Sequence, residues 1–251
     1  MDSLLLMRTR FTIVRVRKLN LVARGKANAC SIHQVHYFVL MDLSELRKEY
    51  ATHGLSRDEL LDSPLAQFKV WFDQAKASGI TEPNAMVLST VKEGGSPLSR
   101  TVLLKSADER GLAFYTNYNS NKGRNLAQDP RASLLFPWFA LERQIHINGS
   151  VIKTSETESD AYFARRPYGS QLGAWVSEQS ETIPDRMQLE HLLEEFKKKY
   201  PEGQVPRPPH WGGFILIPES FEFWQGRLNR LHDRFIYTKA QGNWVISRLA
   251  P

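Results

Sequence analysis

Residues 85–117 read AMVLSTVKEGGSPLSRTVLLKSADERGLAFYTN, and this stretch decides the class of fold. Three short runs rich in Val, Leu, Phe and Tyr, at 85–92, 98–105 and 112–117, have the length and composition of strands. Glu93-Gly94-Gly95-Ser96-Pro97 and Ser106 to Gly111 separate them, and clusters of this kind mark turns. Strands joined by such short connections run antiparallel, so the stretch predicts an antiparallel barrel or sandwich.

The pattern extends in both directions. Upstream, Ser63-Pro64 opens a helix with serine as cap and proline in the first turn. Leu65, Phe68, Trp71, Phe72 and Ala75 then recur at helical spacing up to Gly79. Downstream, 132–138 and 143–153 read as further strands. Ser155-Glu156-Thr157-Glu158 is a capping box ahead of Ala161-Tyr162-Phe163. Leu189, Leu192, Leu193, Phe196 and Tyr200 mark a later amphipathic helix, and Pro201 to Pro209 a loop. Strands return at 211–217, 220–226, 233–239 and 243–248. The expected class is mixed, an antiparallel barrel with peripheral helices. A doubly wound nucleotide fold is not indicated, since strand–helix alternation, a Walker loop and GxGxxG are all missing.

With 251 residues and 41% hydrophobic content, the chain can bury a sizeable core. No apolar run approaches the 18 residues of a membrane span. A single cysteine, Cys30, excludes an internal disulfide framework and a cysteine-based zinc site. The histidines beyond residue 40 (His53, His146, His191, His210, His232) are scattered without HExxH spacing, and G-x-S-x-G is absent.

Charge divides the chain at residue 40. Residues 1–40 hold seven bases (Arg8, Arg10, Arg15, Arg17, Lys18, Arg24, Lys26) and one acid, Asp2, so they carry the whole net charge of +6. Residues 41–251 hold equal numbers of acids and bases, which argues against a broad nucleic-acid surface there. The basic segment is expected either as an organelle-targeting extension or as a stretch upstream of a true start at Met41. Met41-Asp-Leu-Ser-Glu-Leu46 reads as a helix start with Ser44 as cap. The expected setting is cytoplasmic, or mitochondrial if residues 1–40 are a genuine presequence.

Four clusters beyond residue 40 suit anion binding. In Arg100-Thr-Val-Leu-Leu-Lys105, alternation puts Arg100, Val102 and Leu104 on one face and Thr101, Leu103 and Lys105 on the other. Around Tyr115 and Thr116 a strand runs out, and Ser120 caps a helix through Gln128. Free N–H groups there, with Thr116, Ser120 and Lys122, form a phosphate cradle. Tyr162 and Arg166 lie four apart on a helix, and Ser170 follows the break at Pro167, giving a phosphate clamp. Arg230, His232 and Arg234, if extended, project to one side as a row of cations. Each cluster also reads as ordinary solvent-facing charge. Together, two or more anion sites beside aromatics and no protein nucleophile favour chemistry carried by a phosphorylated cofactor.

Over 41–251 the chain resembles the pyridoxamine 5′-phosphate oxidase family. The resemblance rests on Leu46-Arg-Lys-Glu-Tyr50, Arg100-Thr-Val-Leu-Leu-Lys105, Phe114-Tyr-Thr-Asn117, Ser133-Leu-Leu-Phe-Pro-Trp138, Leu141-Glu-Arg-Gln144, Ser170-Gln-Leu-Gly-Ala-Trp-Val-Ser177, Trp211-Gly-Gly213, Phe223-Trp-Gln-Gly226, Arg230-Leu-His-Asp-Arg234 and Arg248-Leu-Ala-Pro251, in that order. It implies an FMN-binding antiparallel split β-barrel acting as a homodimer, with FMN at the subunit interface. It also implies oxidation of pyridoxamine or pyridoxine 5′-phosphate to pyridoxal 5′-phosphate, with oxygen converted to hydrogen peroxide. By position, Arg100, Thr101, Val102, Leu103, Leu104, Lys105, Tyr115, Thr116, Lys122, Gln144, Gln179, Ser180, Trp224 and Arg234 resemble FMN ligands. Lys105, Tyr162, Arg166, Ser170, Arg230 and His232 resemble substrate ligands. Arg230 and His232 are the catalytic candidates, acting by positioning, and Arg47, Lys48, Glu49 and Tyr50 resemble a segment that folds over the substrate. The family often has arginine where this chain has Asn121, so weaker FMN affinity is expected. The rival classes are a non-catalytic store of FMN or pyridoxal phosphate and a nucleic-acid binder driven by the basic tail.

Overall fold

The computed structural model describes residues 43, 49–50 and 54–251. The basic segment, the helix start at Met41 and the candidates Arg47 and Lys48 lie outside the described residues. The contacts below belong to the unit Glu49–Pro251.

Helix α1 (Pro64–Ala77) begins as its sequence dictates: Ser63 Oγ accepts the Ala66 N–H at 3.3 Å, and Pro64 occupies the first turn. Its buried face, Leu65, Phe68, Trp71 and Ala75, meets the barrel core. Phe68 packs on Phe136 at 5.2 Å and Trp71 on Phe223 at 5.2 Å, both edge to face. Removing a ring such as Phe68 costs about 3–5 kcal/mol.

The strands are β1 (Ala85–Val91), β2 (Pro97–Leu103), β3 (Ser106–Asp108), β4 (Gly111–Asn117), β5 (Arg131–Trp138), β6 (Arg143–Lys153), β7 (Trp211–Gln225), β8 (Asp233–Ala240) and β9 (Asn243–Leu249). They pair antiparallel in the order β2-β1-β5-β6-β7-β4-β3, with β8 on β7 and β9 on β8. In β1, Met86, Leu88 and Thr90 are buried while the residues between them are not, so one face of the sheet covers the core. The Lys105 N–H donates to Ala113 O at 2.8 Å, tying the exit of β2 to β4. The sheet thus curls on itself without a continuous ladder at that seam, which makes a split barrel.

Three expectations need correction. Residues 106–111 are not all turn, because Ser106–Asp108 pairs with Gly111–Ala113 as a short hairpin. Residues 211–225 form one strand rather than two. Its first half pairs with β4 and its second with β8, bending at a bulge where Asn148 faces Ser220 and Gly149 faces Pro218. Proline is tolerated at a bulge, and a side chain at 149 would meet Ile217 O at 2.1 Å. Finally, the break at Pro167 is present, since the helix Glu156–Ala164 ends before it, but a further helix not expected from the sequence follows it, Tyr168–Val176, whose buried Gln171 donates through Nε2 to Phe163 O and Ala164 O. The helices are α2 (Asn121–Gln128), α3 (Glu156–Ala164), α4 (Tyr168–Val176) and α5 (Arg186–Lys199).

Candidate active site

The start of α2 gathers the first two clusters. Ser120 caps it, with Oγ accepting the Gly123 N–H at 3.3 Å and donating to Asn117 O at 2.7 Å. Lys122 is buried, and its Nζ donates to Thr116 Oγ1 and Ser120 Oγ, each at 3.2 Å. Arg100 reaches the same place from β2. Its Nη1 donates to Leu88 O at 3.2 Å and Thr90 Oγ1 at 2.8 Å, and Asn125 Nδ2 of α2 donates to that hydroxyl at 3.0 Å. Thr116 Oγ1 donates to Gln179 Oε1 at 3.3 Å, and the Asn121 N–H to Ser180 Oγ at 3.2 Å.

Among the described residues no carboxylate pairs with Arg100 or Lys122. Burial, then the nearby Arg100 charge, pulls the Lys122 ammonium down to about 8. Burial also lowers Arg100. Two desolvated cations at a helix N-terminus without a counter-ion carry an unmet cost that a bound anion offsets. A phosphate fits: it would take the Lys122 and Arg100 charges at the positive end of α2.

The rest of the 100–105 segment is divided. Leu104 is buried, Val102 and Leu103 are half-buried, and Thr101 and Lys105 are exposed. Lys105 lines a cavity of about 280 Å³ with Phe68, Phe72 and Asp73. No described contact joins it to Arg166, so among the described residues Lys105 does not meet the other residues that resemble substrate ligands around Tyr162, Arg166 and Ser170.

Arg166 sits elsewhere. Tyr115, Tyr162 and Trp211 stack in near-parallel planes, Tyr115 to Tyr162 at 4.0 Å and Tyr162 to Trp211 at 6.1 Å. The Arg166 guanidinium lies 4.5 Å over Trp211 and 5.6 Å from Phe163. Its Nη1 is buried without a hydrogen-bond partner, and burial lowers its pKa. A buried guanidinium nitrogen without an acceptor calls for an anion. Ser170 stands exposed in the first turn of α4.

A third group occupies the sheet's outer face. Register pairs Gln144 with Trp224 and Trp224 with Arg234. The three line a cavity of about 380 Å³ with His146, Glu222, Leu135 and Pro251. Arg234 is held by Glu222, Nε to Oε1 at 2.8 Å, and by Ala250 O. Neighbours Ile145, Phe223 and Phe235 point into the core, so this cavity lies on the side of the sheet opposite Arg100, which pairs with inward-facing Leu88.

The expected row of Arg230, His232 and Arg234 does not form. Leu228–Arg230 is a tight turn in which Asn229 and Arg230 take φ of 56° and 60°, and the strand resumes only at Asp233. Arg230 is exposed and makes no described hydrogen bond or ion pair. His232 lies 4.6 Å from Trp224 and 5.7 Å from Tyr50, ring to ring, and its Nδ1 accepts the Arg227 N–H at 3.1 Å. Burial and the Arg230 charge lower the His232 pKa. The favoured neutral ring therefore carries its proton on Nε2. Tyr50 rests on Gly226, where a side chain would come within 2.8 Å of the ring; Glu49 beside it is exposed.

Sequence reasoning missed Thr90 and Asn125, which link Arg100 to α2, and Trp211, which joins Tyr162 to Arg166. Asn125 lies three residues beyond Lys122 on one helix, a spacing that could have signalled it.

A family model described as pyridoxamine 5′-phosphate oxidase matches residues 72–200, and one for the pyridoxine 5′-phosphate oxidase C-terminal dimerisation region matches 211–251. The pyridoxine/pyridoxamine 5′-phosphate oxidase of Nostoc punctiforme is 56% identical over 210 residues, covering 83% of this chain and 98% of that protein. The chain belongs to the pyridoxamine 5′-phosphate oxidase family. Another relative of that name, from Synechocystis, is 53% identical over 84% of this chain and 99% of its own. PhzG from Burkholderia lata, solved with tetrahydrophenazine-1-carboxylic acid, superposes with a TM-score of 0.76 at 30% identity, over 81% of this chain and 100% of its own. An FMN-binding protein of Nostoc punctiforme shares the fold, with a TM-score of 0.61 at 18% identity over 76% of this chain and 100% of its own. The matched C-terminal region covers β7 to β9, including Trp224, Arg230, His232 and Arg234.

Proposed function

We propose that this chain oxidises pyridoxamine and pyridoxine 5′-phosphate to pyridoxal 5′-phosphate, with FMN as resident cofactor and oxygen as acceptor, yielding hydrogen peroxide. The observation that carries the cofactor assignment is the buried Lys122 at the start of α2, close to Arg100 and, among the described residues, to no acid. Arg100, Thr116, Lys122, Gln179 and Ser180 would hold the FMN phosphate, and Gln144, Trp224 and Arg234 would line the ring. When bound, the flavin supplies the two-electron acceptor that no side chain here provides.

Arg166, with Tyr162 and Ser170, would take the substrate phosphate on its unpartnered nitrogen. His232 would donate from Nε2 and Arg230 would balance charge, both by positioning rather than by proton abstraction. Glu49 and Tyr50, with Arg47 and Lys48, would cover the substrate. The cradle and the ring-lining cavity lie on opposite sides of one sheet. That separation, with the matched dimerisation region, supports a homodimer in which each flavin is shared between two copies, and Lys105 would be completed by the same pairing. Among the described residues no helix is long and apolar enough to cross a membrane; the cytoplasmic setting belongs to this proposal.

An absorbance spectrum of the purified protein with a peroxide assay tests the reading. A yellow protein that makes peroxide from pyridoxamine 5′-phosphate meets it. A yellow protein that makes none is a store, and a colourless protein that takes up no added FMN removes the cofactor.

A further inference from the structure

Asn121 stands where an arginine facing the flavin phosphate was expected, and its side chain is committed elsewhere. Its Oδ1 accepts from Arg124 Nη2 at 2.7 Å. Arg124 Nη1 donates to Asn119 O at 2.6 Å and to Glu181 Oε1 at 2.8 Å. Glu181 ends the segment 177–181, which carries the cradle residues Gln179 and Ser180.

That segment is fastened to residues 116–124 at four successive points. Asn117 Nδ2 donates to Ser177 O at 3.3 Å, Thr116 to Gln179, the Asn121 N–H to Ser180, and Arg124 to Glu181. Ser180 also holds a left-handed φ of 80°. A non-glycine residue keeps such a conformation where its surroundings over-determine it. The first three fastenings are neutral hydrogen bonds. The fourth is the only ion pair among the described contacts of this segment, and Asn121 aims it.

We propose that Arg124 and Glu181, set by Asn121, latch segment 177–181 as a strap across the cofactor phosphate cradle and slow release of the cofactor. Arg124 and Glu181 are positioning residues, for they act through Gln179 and Ser180. The chain thereby replaces a direct cationic contact at position 121 with a closed strap. Both partners are about half exposed, so the effect is modest and salt-sensitive. The inference rests on the FMN reading above.

The test is the rate of FMN release from the loaded protein, followed by recovery of free-flavin fluorescence. Arg124→Glu and Glu181→Arg should each speed release about 3- to 10-fold, a like-charge pair costing somewhat more than a lost surface ion pair. The swapped double variant should return the rate to within about two-fold of the unaltered chain. In about 1 M salt the ratio between the two rates should shrink, because the attraction in the unaltered chain and the like-charge repulsion in Arg124→Glu are both screened. Hydrogen exchange on the cofactor-free protein gives a second readout, with faster exchange at 178–181 in Arg124→Glu and its reversal in the swap. Release and exchange that ignore the single variants, or a swap that restores neither, overturn the latch. A chain that takes up no FMN but shows the exchange response keeps the latch and overturns the cofactor reading.

Discussion

The cradle around Lys122 and the corner around Arg166 each hold a desolvated cation with no carboxylate partner among the described residues, but they are finished to different degrees. Around Lys122 the polar side chains hydrogen-bond in two adjoining groups: Lys122 with Thr116, Ser120 and, through Thr116, Gln179, and Arg100 with Thr90 and, through Thr90, Asn125. Around Arg166 the aromatic walls are built, while Nη1 lacks a partner and Ser170 stands open to solvent. A network complete before its ligand arrives loses little freedom on binding, which suits a cofactor that stays. A corner that leaves a guanidinium nitrogen to the ligand suits a molecule that comes and goes.

The largest expected effect breaks the cradle. Lys122→Met should weaken FMN binding on the order of 100-fold, from the roughly 3 kcal/mol of a charged hydrogen bond, in a flavin titration. The cofactor-free variant should melt no lower than the unaltered chain at pH 7, since the substitution also removes an uncompensated buried charge. The sign of the pH response follows. The ammonium ordinarily titrates near 10.5 but near 8 in the folded chain. Between these values the unfolded chain holds more protons, so stability of the cofactor-free protein should rise as pH climbs from about 8 to 10.5. Bound phosphate holds the proton on Lys122, so the loaded protein should show a shallower rise. Thermal melts across that range, with and without FMN, check both.

The next effect separates the two regions. Arg166→Met should raise the KM for pyridoxamine 5′-phosphate about 10- to 30-fold, the worth of one charged hydrogen bond at about 1.5–2 kcal/mol. FMN affinity should stay within about two-fold, because Arg166 makes no described contact with the cradle. A matching fall in FMN affinity would mean the regions are one site within the chain. Steady-state kinetics with a parallel flavin titration give both numbers.

How much of this was legible in the sequence divides along the same line. The caps of α1, α2 and α3 are local rules, and Ser63, Ser120 and Ser155 obey them. The cradle was half readable. Thr116, Ser120 and Lys122 lie within seven residues, whereas Arg100 reaches α2 through Thr90 on the neighbouring strand, which is a matter of register. The expectation of Tyr162 and Arg166 on one helical face is not met, because α3 ends at Ala164, and the wall that unites them, Trp211, comes from a strand almost fifty residues on. Helix α4 was hidden because Gly169 and Gly173 dilute its propensity and Pro167 reads as a stop. The row of 230, 232 and 234 failed because its spacing assumes extended backbone. The signal against it was Asn229, a residue type that tolerates the left-handed region.

The smallest effect probes the turn that presents Arg230 and His232. Asp233 fastens it from three directions: Oδ2 accepts the Leu55 N–H at 3.0 Å, Oδ1 accepts from Arg248 Nη1 at 2.6 Å, and Arg227 Nη1 stands 3.8 Å away. Burial pushes the Asp233 carboxyl up, but the Leu55 N–H and the Arg248 and Arg227 charges outweigh it and hold the carboxyl below its ordinary 3.8. Its stabilisation is therefore present above the unfolded value and lost as pH falls through the lower folded one. Asp233→Asn keeps the shape and removes the charge. It should cost about 1 kcal/mol at pH 7, since both arginines are half exposed, and the deficit should shrink as pH drops below 3.8. Because the turn carries Arg230 and His232, proposed above to face the substrate, and the cradle lies elsewhere, kcat/KM should fall about three-fold while FMN release is unchanged. Were FMN release to quicken instead, the turn would bear on the finished region rather than the open one. The contrast between the two would then have to be redrawn around Trp224, which His232 touches from the turn and which lines the cavity proposed for the flavin ring.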